Sequence, residues 1–203
     1  MRRHLVLASL SPRRSAILSR MGIRFEVIPS NVRENSHVWL SPKSMAGGLS
    51  ELKALKVFSF RKNSAVLAGD TVIDLDGDVL GKPKNKSDAE NMLNRLSGNV
   101  HRVHTGITVM TNQYINTVVE STLIEFREIS SEDIVNYVNT GKASDKSGGY
   151  GIQDKELMPV VRILGSYWNV VGLPVVTTSI LLNNANIISN SALNNYKTLD
   201  GME

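Results

Sequence analysis

The amino-acid sequence predicts a fold of the α/β class, and three observations carry that expectation. The N-terminal segment up to Ile28 reads strand, helix, strand. An Asp-Gly pair at 76–77 joins two short apolar runs, and two long segments of strand character follow between Val103 and Phe126. A length of 203 residues predicts one domain over 1–203, with room for two lobes.

Leu5-Val6-Leu7 reads as a buried strand that passes through a hydroxyl-rich turn into a helix from Ser11 to Met21. Ser11 can cap that helix and Pro12 suits its first position. Ile17, Leu18 and Met21 share one face, Gly22 stops the helix, and Phe25–Ile28 forms the next strand. A polar stretch from Asn31 to Pro42, containing Glu34, leads to a helix over Met45–Phe58 that carries Leu49, Leu52, Lys53 and Leu55. Gly47-Gly48 should weaken its first turns.

The strand Val66–Gly69 is expected to run out at Asp70. Thr71–Leu75 then pairs with Val79–Leu80 across Asp76-Gly77, a hairpin that carries Lys82 back towards Asp70. Ser87-Asp88-Ala89-Glu90 reads as a capping box opening a structural helix to Leu96, with Ser97-Gly98 beyond it. Val103–Met110 and Thr117–Phe126 are expected to be antiparallel neighbours, and Ser131–Asn139 an amphipathic helix ended by Gly141.

The run Lys146-Ser147-Gly148-Gly149-Tyr150-Gly151-Ile152-Gln153 permits close backbone approach to a ligand, or is simply a flexible loop. Val160–Ile163 supplies another strand, 165–172 a loop, and Pro174 opens a last helix through Leu182. The Asn-rich remainder, 183–203, is expected to be an irregular tail.

Composition excludes several functions. No run approaches the roughly 20 apolar residues of a membrane span, and the basic start has no long apolar segment behind it, so a cytoplasmic protein without membrane partners is expected. Without cysteine there is no disulfide, thiolate nucleophile or zinc–thiolate site, and four scattered histidines lack ligand spacing. Any metal must be held by oxygen. The formal charge is +4, but the charges are interspersed and aromatics are few, which argues against nucleic-acid binding and for a local basic site. His101 and His104 are assigned no role.

Two places carry candidate chemistry. A lone acid leaving a strand, Asp70, suggests a metal or water site, although such residues more often serve turns or caps. At the start of the first helix, Arg13 and Arg14 oppose the helix dipole unless an anion lies between them, so Ser11-Pro12-Arg13-Arg14 reads either as an anion cradle or as solvated surface.

Ala8-Ser9-Leu10-Ser11-Pro12-Arg13-Arg14, Asp70-Thr71-Val72, Gly81-Lys82-Pro83, Leu96-Ser97-Gly98, Tyr150-Gly151-Ile152-Gln153 and Val171-Gly172-Leu173-Pro174 occur in the order found in the Maf family. Each motif is short; the ordered set, covering about residues 5–182, makes the chain resemble that family. The resemblance implies an extended mixed β-sheet with flanking helices and two lobes around a central cleft, similar to inosine triphosphate pyrophosphatases. It also implies a nucleoside triphosphate pyrophosphatase that releases a nucleoside monophosphate and pyrophosphate.

Carried over residue by residue, Asp70 matches the family's proton acceptor. Ser9, Arg14, Glu34, Lys53 and Lys82 match its polar site, and Arg13, Thr71 and Gln153 match positions tied to substrate choice. Thr71 after the acid and the Tyr-Gly-Ile-Gln loop resemble the branch acting on dTTP and UTP. Ala68-Gly69 inverts the usual order before the acid, Asn31 stands where an acid is common, and Ser147 and Gly149 replace alanines.

The chemistry suits these residues. A charge pair at roughly 4 Å is worth about 1 kcal/mol in water and about 4 at an effective dielectric near 20, so a cationic cleft would matter to a triphosphate. Glu34 and Asp70 are hard oxygen ligands suited to Mg²⁺ or Mn²⁺, and either could orient the attacking water. A competing reading is a nucleotide-binding regulator of cell division (septum inhibition) acting through a partner. A homodimer is the assembly considered, with oligomeric state left open.

Overall fold

A computed structural model describes residues 4–33, 39–157 and 159–197. The N-terminal β-α-β unit is present: β1 (Leu5–Leu7), α1 (Pro12–Arg20) and β2 (Glu26–Val27), with β1 parallel to β2. Ser11 caps α1 by accepting from the Arg14 N–H. Gly22, at φ +67°, lets the chain turn away while the Ile23 N–H donates to the Leu18 carbonyl.

The second helix, α2 (Pro42–Phe58), starts earlier than its apolar pattern suggests. Ser41 and Ser44 cap it reciprocally, each hydroxyl accepting from the other residue's backbone N–H. Gly47-Gly48 lies inside it, and small residues serve packing here. A Cβ on Gly106 of the underlying strand would come within 2.1 Å of the Ala46 carbonyl oxygen, so helix and sheet touch backbone to backbone. This close approach brings the stripe Met45, Leu49 and Lys53 down to the sheet.

Next come β3 (Ala65–Leu75), β4 (Asp78–Leu80), α3 (Lys86–Leu96), β5 (Val100–Met110), β6 (Ile115–Phe126) and α4 (Ser131–Asn139). A 3₁₀ turn at Ser147–Gly149, β7 (Val160–Leu164), α5 (Tyr167–Val171), α6 (Val175–Asn184) and α7 (Asn190–Lys197) complete the order. The seven strands form one mixed sheet in the order β2-β1-β3-β5-β6-β7, with β4 on β3. β1 is parallel to both β2 and β3, with α1 and α2 as the crossovers, whereas β4, β5, β6 and β7 are antiparallel to their neighbours. The mixed α/β class is therefore as expected, and among the described residues no helix is long and apolar enough to cross a membrane.

Four local expectations are corrected. Asp70 does not end a strand: it sits in the middle of an 11-residue β3, because β5 pairs with that strand without a break from Val66 to Asp74. The cap of α3 is Asn85, which accepts from the Asp88 N–H at 2.9 Å, rather than Ser87; Asp88 in turn accepts from the Lys84 N–H. The segment 165–172 contains α5, capped by Ser166 and anchored by buried Trp168, a helix too short to show a period. Beyond Leu182 the chain is not an irregular tail as far as Lys197. α6 runs to Asn184 and α7 follows, the Tyr196 hydroxyl donating to the Met21 carbonyl at 2.5 Å.

On one face of the sheet lie two core clusters, divided along β3. Leu67 packs with Leu7, Leu18, Trp168 and Leu182; Ile73 and Leu75 pack with Leu93, Leu96, Ile124 and Tyr137. A third cluster, containing Val66, Ala68, Ala54 and Val57, lies on the other face beneath α2. β3 thus joins two lobes, and residues 69–72 lie where they meet.

Candidate active site

The register of the sheet creates the cleft. On the side of β3 away from β5, β1 pairs with Ala65–Leu67 and β4 with Ile73–Leu75, so among the described residues 68–72 have a strand neighbour on one side only. Alternate strand residues point to opposite faces. A cleft wrapping this exposed edge can therefore use consecutive residues: Asp70 on the α2 face and Thr71 on the α1 face.

Asp70 is buried, and Lys53 of α2 donates to its Oδ1 at 2.5 Å, with side-chain exposures of 12% for the lysine and 11% for the acid. On the opposite face, the Arg14 guanidinium is buried rather than solvated. Its Nε donates to the Gly172 carbonyl at 2.9 Å, and its two amino groups donate to Ser9 Oγ at 3.1 Å and Thr71 Oγ1 at 3.0 Å. Gly69 leaves room for it: a Cβ there would stand 3.0 Å from Arg14 Nε. Behind Thr71, Thr105 shares a hydrogen bond with it at 3.0 Å and donates to the Asn169 carbonyl, which ties the arrangement to α5.

Arg13, the next residue on α1, points across the cleft mouth to Asp145, donating to Oδ2 at 2.7 Å and to the backbone carbonyl at 3.2 Å. Burial opposes ionisation of Asp145, but hydrogen bonds from Arg13 and Lys146 outweigh it and hold the carboxyl below its usual range.

The glycine-dense segment is a packed element rather than a flexible loop. Gly148 and Gly149 have φ of +69° and +73° and lie buried against Ile73, Leu96 and Ala89. Lys146 is buried with them; its Nζ donates to the Lys142 carbonyl and stands 3.2 Å from Asp145 Oδ1 and 3.2 Å from Asp154 Oδ2. Tyr137 donates to the same Asp154 oxygen at 2.6 Å, and burial together with that carboxylate raises the phenol's pKa. A Cβ on Gly151 would come within 2.7 Å of Lys146 Cε, 2.8 Å of Asp154 Oδ2 and 2.9 Å of Gln153 Nε2, so the three side-chain ends converge on the bare backbone there. Gln153 itself is exposed to the cleft. Tyr150 anchors the turn through His101, whose Nε2 lies 2.7 Å from the Tyr150 hydroxyl; burial lowers the His101 pKa to about 4. His104 bridges Asp74 and Ser121. Both histidines are structural.

Lys82 is exposed at the cleft rim, brought there by the 76–77 turn as expected. The cleft, about 810 Å³, thus gathers Ser9, Arg13, Arg14, Lys53, Asp70, Thr71, Lys82 and Gln153. Glu34 lies outside the described residues. Sequence reasoning gave no role to three further lining residues, Lys84, Lys146 and Asp145. Lys84 follows Lys82 closely and Lys146 opens the glycine run, whereas Asp145 meets its partner only across 132 residues. With these, the described lining holds six cations (Arg13, Arg14, Lys53, Lys82, Lys84 and Lys146) against two carboxylates (Asp70 and Asp145), the local basic site that composition implied.

No three His, Cys, Asp or Glu side chains cluster among the described residues in a way that could hold a metal. Of the two expected hard-oxygen ligands, Asp70 lines the cleft and Glu34 lies outside the described residues, so a divalent cation here would have one described carboxylate and would draw its other ligands from phosphate and water.

Comparison with known proteins agrees with the motif order. The Maf-like protein family matches residues 4–185. A dTTP/UTP pyrophosphatase of Thermosipho africanus (strain TCF52B) is 47% identical over 171 residues, 84% of this chain and 87% of the relative. A dTTP/UTP pyrophosphatase of Aquifex aeolicus (strain VF5) is 39% identical over 184 residues, 91% of this chain and 96% of the relative. Among solved structures, the Ham1 protein of Staphylococcus aureus aligns with a TM-score of 0.44 at 16% identity, covering 98% of this chain and 100% of that one. The motifs, the family match over 4–185 and the full-length relatives agree: the chain belongs to the Maf family.

Proposed function

We propose that the cleft hydrolyses dTTP and UTP, and modified pyrimidine nucleotides as well, to the nucleoside monophosphate and pyrophosphate. The observation that carries this reading is an acid, Asp70, held at 2.5 Å by Lys53 within a cleft otherwise dominated by cations. A module that only binds nucleotide needs the cations; an acid facing phosphate is required for chemistry. The relatives' names support the same substrates.

In this reading a water oxygen attacks the α-phosphorus and its proton passes to Asp70. The bond to the bridging oxygen breaks, and pyrophosphate leaves with the electron pair. Lys53 orients Asp70 by donating to its Oδ1. Arg14, already fixed by Ser9, Thr71 and the Gly172 carbonyl, presents a rigid cation to phosphate at the start of α1. Lys82 meets the charge that develops on pyrophosphate. Asp70 would hold Mg²⁺ or Mn²⁺ jointly with the phosphates, an ion that would supply charge neutralisation on the phosphate oxygens. Arg13, Thr71 and Gln153 would select the substrate, the Gln153 amide offering a donor and an acceptor to a base edge. Glu34 is proposed as a second hard ligand by family resemblance alone; the role of Asp70 does not depend on it. A cytoplasmic location suits a chain without cysteine. No observation favours the cell-division reading.

The test is a product-resolved panel of standard and modified triphosphates with Mg²⁺ or Mn²⁺. Monophosphate and pyrophosphate from dTTP and UTP are expected. Orthophosphate and a diphosphate as first products would overturn the cleavage site, and better turnover of methylated GTP would overturn the branch.

A further inference from the structure

The ion pair between Arg13 and Asp145 joins the two lobes across the mouth of the cleft: Arg13 lies on α1, packed in the first lobe, and Asp145 on the segment after α4 in the second. Asp145 divides its oxygens, Oδ2 to Arg13 at 2.7 Å and Oδ1 to Lys146 at 3.2 Å. Arg13 also donates to the Asp145 backbone carbonyl, so both of its terminal amino groups are engaged by this one residue. A phosphate that takes those same two N–H groups in its own fork displaces Asp145.

We propose that Asp145 is an internal competitor for Arg13, penalising any anion that takes the same N–H groups and so hastening release of pyrophosphate and monophosphate after turnover. The energetics permit the exchange. The carboxylate side chain is 53% exposed and the arginine 23%. A pair this exposed is weak, so its loss changes an equilibrium by roughly two- to fivefold. A phosphate dianion offers the same fork geometry with more charge and wins. Lys146 keeps its contact with Asp154 when Asp145 turns away, so the Gln153 segment stays anchored.

The inference rests on the reading of the cleft as a phosphate site, and it is tested without turnover, using inorganic pyrophosphate as the probe in calorimetry on the intact chain. Asp145→Asn keeps the acceptor and removes the charge; it should bind pyrophosphate about two- to fivefold more tightly than the wild type. Asp145→Ala, which removes the acceptor too, should bind at least as tightly. In an Arg13→Gln background Asp145→Asn should change nothing. Unchanged or weaker binding by the single variants overturns the proposal, as does equal tightening in the Arg13→Gln background, which would make Asp145 a general source of negative field. Wild-type protein that binds pyrophosphate but leaves dTTP intact would contradict the proposed reaction and not the competition. Cleavage of dTTP with pyrophosphate affinity unmoved by Asp145→Asn would contradict only the competition.

Discussion

Asp70→Asn separates chemistry from structure because the amide is nearly the same size and can still accept from Lys53. In the wild type the two charges stand 2.5 Å apart with side chains 12% and 11% exposed. Gross attraction at that distance is roughly 7 kcal/mol at an effective dielectric near 20, most of it offset by the cost of burying both ions. Losing one partner of a buried pair costs about 3–5 kcal/mol, and the retained hydrogen bond to a charged group returns some of that. A net loss of about 2–3 kcal/mol is expected, read as a lower urea midpoint with an unchanged slope. The variant should remain folded. Turnover of dTTP should fall by about 10²-fold or more, the scale of a lost acid–base group, while nucleotide affinity measured without metal holds or improves. Turnover within a few-fold of wild type, in folded protein at saturating metal, would refute the place of Asp70 in the mechanism.

Two further outcomes follow from the same geometry. Gln153→Ala should compress the preference for dTTP over GTP by roughly 1–3 kcal/mol in kcat/KM, since an exposed amide reads a base edge rather than a phosphate; an equal fall on every triphosphate would make Gln153 catalytic or structural. Burial lowers the His101 pKa from 6.5 to about 4, so the folded protein resists a proton that the unfolded chain accepts. Its effect is absent above pH 6.5, grows as pH falls towards 4 and levels off below, a loss of roughly 3 kcal/mol in all. His101→Phe should flatten that part of the stability profile in urea titrations, and an unaltered slope would assign the acid lability to other groups.

Much of the fold was legible because its signals are local. Ser11-Pro12, Gly22, Asp76-Gly77 and the alternation in 122–126 each prescribe backbone geometry by themselves, and each appears where expected. The errors arose where partners outside the segment decide. Asp70 looked like a strand end because the apolar run Val66–Gly69 stops there, yet hydrogen bonding to β5 carries the strand on through Asp74. Gly47-Gly48 looked like a weak helix start because the value of a bare backbone appears only once Gly106 is packed beneath Ala46. The candidate site follows the same division. The motif residues Ser9, Arg13, Arg14, Lys53, Asp70, Thr71, Lys82 and Gln153 do line one cleft. Asp145 was invisible because its meaning depends on Arg13 across the cleft mouth, and the burial of Arg14 depends on a carbonyl 158 residues away.

Asp70 and the surrounding cations direct water to the α-phosphorus in the proposed reaction. Hydrolysis of dTTP in ¹⁸O-labelled water, with the products separated and weighed by mass spectrometry, reads the site of attack. The label is expected in dTMP and not in pyrophosphate. Label in pyrophosphate would mean attack at the β-phosphorus, and label in orthophosphate would mean attack at the γ-phosphorus; either would contradict the assignment of the cleft.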